Sequence, residues 1–211
     1  MAGSARHAGQ EDHEPAAVRA ESPDLPAGAR AARVPVRGIA EAYFVDAAAG
    51  LAMGEDPDYV EHALRDEPNF MDVDNLEFLV TVEHVVDAGP PRGPEAVGVK
   101  LLQLLRRPAG ADRERWRTGF LGSGQWELTS ALRATRHVIA PSVSESYPAD
   151  GPAPAFDAVR ELSWPDVDAF LRARDSAAWP GLLDPEFIDK DSCVALLAEE
   201  HRVIWLEEHV G

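Results

Sequence analysis

The 211-residue chain carries 37 Asp+Glu against 20 Lys+Arg, a net charge of −17, and 45% of its residues are hydrophobic. That apolar fraction excludes wholesale disorder, and the length suits one ordinary domain. The charge repels nucleic acid and anionic membranes and attracts basic proteins, so neither of the first two is an expected partner.

No apolar run approaches the ~18 residues that span a bilayer, and the first residues lack the apolar segment of a secretory signal. The one cysteine, Cys193, has no internal partner for a disulfide. A cytoplasmic, reducing setting is therefore expected.

Residues 1–32 are rich in Ala, Gly, Pro, Glu and Arg and poor in large apolar side chains. Burial there cannot offset the entropy of ordering, so a disordered tail is expected, followed by a globular domain over 33–211. Ile39, Tyr43, Ala47 and Leu51 recur at four-residue steps and predict a helix over Ile39–Met53, ended by Gly54. Asp56 and Pro57 suit the cap and first turn of a short helix over Asp58–Arg65. Leu76–Val86 fits two templates. Phe78, Val80, Val82, His84 and Val86 alternate as in a strand, whereas Leu76, Leu79, Val80, Glu83 and Val86 suit a helix; the β-branched content tips it towards strand.

Val97, Leu101, Leu104 and Leu105 predict an amphipathic helix over Glu95–Arg107, stopped by Pro108. Glu114–Leu121 reads as a strand, and Gln125–Val138 as a helix with Leu128, Leu132 and Thr135 on one face. Pro141–Phe156 is a Pro/Ser/Gly connector and a candidate internal linker. A short strand over Ala158–Leu162 precedes a helix with Ser163 as its N-cap. Asp191 then caps a last helix over Ser192–Glu200, with Val194, Leu197 and Ala198 inward. These elements sum to an α+β fold: a helix-rich single domain with a few short strands.

Four Glu-His pairs recur, at Glu61-His62, Glu83-His84, Glu200-His201 and Glu208-His209. Adjacent side chains diverge by about 100° on a helix and point to opposite faces of a strand, so a pair cannot grip one ion. The pairs read as solvated acidic surface, and neither a metal nor a cofactor is expected. Asp184, Glu186, Asp189 and Asp191 crowd together without the ordered ligands and terminal Glu of a calcium loop. They form the acidic patch expected to meet a basic protein partner.

Gly119, Gly122 and Gly124 precede a predicted helix, with Arg115 and Arg117 just upstream. Backbone N–H groups of Gly122 and Gly124 could cradle an anion at the helix's positive end, with the two arginines as counter-charges. Neither phosphate-loop nor dinucleotide spacing is present, and a plain tight turn explains the glycines equally. No nucleophile motif appears, so covalent catalysis has no handle in the sequence. Charge and missing motifs together favour a non-catalytic, cytosolic interaction protein of inhibitor, immunity, antitoxin or adaptor type. The alternative is a small enzyme or ligand-binding domain holding an anionic, phosphate-bearing ligand at the Gly119–Gly124 turn.

Overall fold

In the computed structural model, residues 38–69, 71–72, 76–90, 98–122, 124–143 and 153–200 are described. The expected tail, the middle of the candidate linker, and His201 and His209 lie outside them. One antiparallel sheet holds β1 (His84–Asp87), β2 (Val99–Leu105), β3 (Arg136–Pro141), β4 (Ala158–Trp164) and β5 (Val194–Glu199) in the order β1-β3-β4-β2-β5. Every neighbouring pair is antiparallel, so β2 runs parallel to β3 with β4 between them, and β4 runs parallel to β5 with β2 between them. Helices α3 (Arg113–Gly122) and α4 (Gln125–Leu132) make the first crossover, and α5 (Val167–Arg174) lies in the second. From β2 to β5 this is the split βαβ arrangement of a ferredoxin-like fold, with β1 added outside β3.

The helix-rich expectation is therefore corrected: the organising element is a five-stranded sheet. The error lay chiefly in two segments taken for amphipathic helices. Glu95–Arg107 contains β2, the strand between β4 and β5, where Leu101 and Leu105 are wholly buried. A strand covered on both faces is apolar at nearly every position, so its leucines mimic a helical stripe. Burying each one gains ~1.5–3 kcal/mol, well beyond leucine's helical preference. Ser192–Glu200 likewise holds β5, whose ladder with β2 runs from Val194 to Glu199.

Glu114–Leu121 is the reverse case. Trp116 and Phe120 stack with ring centres 5.2 Å apart, a four-residue spacing that only a helix turns into contact. The helix expected over Gln125–Val138 stops at Leu132, because Arg133 adopts a left-handed φ of 51° and its N–H caps the carbonyls of Thr129 and Ser130. Of Ile39–Met53, only α1 (Ala47–Ala52), capped by Asp46, is α-helical, and Met53 opens a 3-10 turn. Downstream, Asp56 accepts from the N–H groups of Asp58 and Tyr59 and opens a π-helical turn, Tyr59–Ala63, that runs into α2 (Leu64–Asp66). Ser163 lies inside β4, and α5 is capped instead by Asp166, which accepts from Ala169 N–H at 2.7 Å. Leu76–Val86 does carry strand, at its end in β1, with Thr81 bridged to Ser142.

Strand alternation divides the chemistry between two faces. Towards the helices point Val99, Leu101, Leu162 and Trp164, packed with Leu132, Phe170 and Leu182. A neighbouring cluster joins Leu105 and Ile139 to Trp116, Phe120 and Ile188. Lys100, Leu102 and Leu104 point to the second face. Among the described residues no helix is long and apolar enough to cross a membrane.

Candidate functional site

A cavity of about 310 Å³ opens between α4 and the turn Trp179–Leu183, near the lower end of the size range for small-molecule sites. Gly124, Gln125, Glu127 and Ala131 line one side, Gly181 and Asp184 the other, and Arg160 of β4 reaches it from the sheet. Gly124 joins α3 to α4 with φ 60° and ψ 23°, a left-handed conformation that costs glycine little. It is the N-cap of α4 and offers no side chain to cap the helix.

Arg160 is 1% exposed and has no carboxylate within ion-pair reach among the described residues. Its Nη1 donates to the Leu182 carbonyl at 2.7 Å and to Gln103 Oε1 at 3.2 Å. Nη2 reaches Gln125 Oε1 at 3.4 Å, and Nε has no partner among the described residues. The guanidinium stands 5.1 Å above the centre of the Phe120 ring. Burial pulls its pKa down to about 10, which still leaves it charged at neutral pH. A buried charge without a counter-charge costs several kcal/mol, which makes Arg160 an unusual electrostatic feature among the described residues.

His137 lies beneath α4 and is also wholly buried. The Thr129 hydroxyl donates its proton to the Gln125 carbonyl at 2.7 Å and lies 2.6 Å from His137 Nδ1. Nδ1 is then the donor in the second contact, and in the neutral imidazole that burial favours Nε2 is the unprotonated nitrogen. No partner for Nε2 occurs among the described residues. Burial, and then the Arg160 charge, hold the imidazole pKa near 3. Gln125 thus connects the cavity to His137, through its amide on one side and its backbone carbonyl on the other.

On the second face Lys100 is 3% exposed and lies 2.8 Å from Glu41 and 2.9 Å from Glu161. Its burial favours the neutral amine, but the two carboxylates outweigh that and raise its pKa. Burial and then Glu161 push Glu41 up to about 7. Glu41 belongs to a stretch without regular secondary structure, so Lys100 anchors that stretch to the sheet.

Of the four residues suggested for an anion, only Gly124 lines the cavity. Gly122 is the last residue of α3, Arg115 is exposed on that helix, and Arg117 pairs with Glu114 at 3.0 Å. Among the four acids, Asp184 lines the cavity and accepts from Glu186 N–H. Asp189 accepts from Asp191 N–H and the Ser192 hydroxyl, so local turns occupy these carboxylates. Arg160, Gln125, His137, Lys100 and Glu161 were missed by sequence reasoning. A signal existed in A-V-R-E-L-S-W, where Arg160 interrupts the apolar period-two row of Ala158, Leu162 and Trp164. No group of three His, Cys, Asp or Glu side chains placed to hold a metal occurs among the described residues.

Fold and cavity together define a ferredoxin-like domain with a small-molecule-sized pocket on the helical side of its sheet. The family described as EthD domain matches residues 6–74, a stretch that ends before β1. A solved structure titled "Crystal structure study of anthrone oxidase-like protein" is similar over 72% of this chain and 69% of that chain, at 12% identity and a TM-score of 0.47. No curated protein sequence matches. The EthD-domain match overturns the expectation of a non-catalytic interaction protein and favours the enzyme or ligand-binding alternative.

Proposed function

We propose that the protein is a small enzyme-like domain that holds a small anionic molecule in the cavity beside Arg160. Arg160 carries this reading: a guanidinium buried without a carboxylate gains most from a ligand that supplies one. The EthD-domain match supports the enzyme-like class. In this reading the counter-charge is Arg160, and the glycine turn contributes the wall at Gly124 where α4 begins.

The test is thermal unfolding of the wild type and of Ala131→Trp with a panel of small organic anions. Ala131 is exposed on α4 and lines the cavity, so a tryptophan fills the cavity while sparing the core. Anions from the panel should raise the wild-type Tm by mass action and leave the variant unmoved. The reading fails if no anion stabilises the wild type, or if Ala131→Trp responds equally.

A further inference from the structure

We infer that the ligand of this cavity is a monoanionic carboxylic acid with a short apolar body, its carboxylate seated side-on against the Nε–Nη2 edge of Arg160. This rests on the reading above that the cavity binds an anion. A guanidinium has five N–H groups in a fixed plane. Both Nη1 protons are used, on the Leu182 carbonyl and Gln103 Oε1. Nε is without a partner among the described residues, and on the same edge Nη2 meets only Gln125 Oε1 at 3.4 Å. A charge-assisted bond is shorter, at about 2.7–2.9 Å, so that amide is a weak occupant. The edge has two roughly parallel N–H vectors, which match the two oxygens of one carboxylate.

Charge decides between carboxylate and phosphate. Among the described residues Arg160 is the one basic residue lining the cavity, while Glu127 and Asp184 are acidic. A phosphate monoester brings a charge of about −1.5 to −2 at pH 7 and would meet both carboxylates with a single cation to answer it. A carboxylate brings a single charge, so it meets the same two acids with less repulsion while Arg160 answers it. Leu128, Ala131, Ala178 and Phe187 complete the lining and suit an apolar body.

The experiment titrates the full chain with benzoate, benzamide and phenylphosphonate by calorimetry, in the wild type, Arg160→Lys and Gln125→Glu. Lysine keeps the charge and loses the fork, so benzoate affinity should fall about tenfold or more. Glutamate at 125 plants a carboxylate on the same edge and should block benzoate in a protein that is folded by circular dichroism; it decides the matter if Arg160→Lys does not fold. Wild-type protein should prefer benzoate to both analogues by about tenfold. Equal or tighter binding of benzamide or phenylphosphonate would leave the cavity a binding site and overturn the carboxylate assignment. Undiminished benzoate binding in either variant would also overturn it. If none of the three probes binds, the anion-binding reading falls and takes the assignment with it.

Discussion

Two cations are buried on opposite faces of the same sheet, and the chain treats them differently. Lys100 is held between two carboxylates, each within 2.9 Å. Arg160 is surrounded by a carbonyl, two side-chain amides and an aromatic ring. A buried charge neutralised by its own neighbours organises structure, here by fastening residues near Glu41 to the sheet. One left to neutral dipoles keeps its charge available to a ligand, and perturbed groups in a cavity mark functional sites more often than chance would place them there.

The largest effect that separates the two should come from Lys100→Met. It leaves the 5%-exposed Glu161 and its neighbour Glu41 without their cation, and stability in urea should drop by about 3–5 kcal/mol. A loss below about 1 kcal/mol would mean that the carboxylates find other relief. Arg160→Met should be milder, costing no more than about 2 kcal/mol, because losing a buried unpaired charge offsets the hydrogen bonds it made. If Arg160→Met proves the more damaging of the two, the contrast between the faces is wrong.

Acid titration sharpens the comparison, because the two faces should respond with opposite sign. Glu41 has a pKa raised from 4.5 to about 7, by burial and by Glu161, with Lys100 opposing. The folded state holds its proton where the unfolded state has released it, so this contribution is complete below 4.5 and is lost as pH rises to 7. Glu41→Gln should flatten that slope, by on the order of 1 kcal/mol after solvent screening at its partly exposed carboxylate. His137 has a pKa lowered from 6.5 to about 3. Its contribution is present above 6.5 and is lost as pH falls towards 3, because only the unfolded state takes up the proton. An imidazole NMR titration showing protonation near pH 6.5 in the folded protein would refute this. Smallest of all should be Arg117→Ala, which breaks an exposed pair with Glu114 and should shift stability by about 0.5 kcal/mol or less in the same urea assay.

How much of this was legible in the sequence can be judged from particular elements. Ala158–Leu162 read correctly as strand, and the α4 start at Gln125 was marked by its glycines. The leucines of β2 were not decipherable alone, because a strand apolar on both faces and a helical stripe share the same spacings. Only the pairing of Leu101 with both Leu162 and Leu197 resolves them. The cavity was half visible: Gly124 was singled out, whereas Arg115 and Arg117 were preferred as cations because they adjoin it in sequence. The cation at the cavity, Arg160, comes from a strand 36 residues beyond Gly124. Lys100, one of two lysines in the chain, sits in an apolar run and could have been flagged as a buried, paired charge.

The position of β2 also has a consequence for how the chain folds. Val99 is paired with Trp164 on one side and Glu199 on the other. Flanked on both edges, β2 is also the earliest of the four ferredoxin-like strands, and its two partners are made last. Contacts between such distant residues are slow to form because the intervening loop must close first. During synthesis β2, with its leucines uncovered, must wait for β4 and then β5, and in that interval its apolar edges are open to association with other chains.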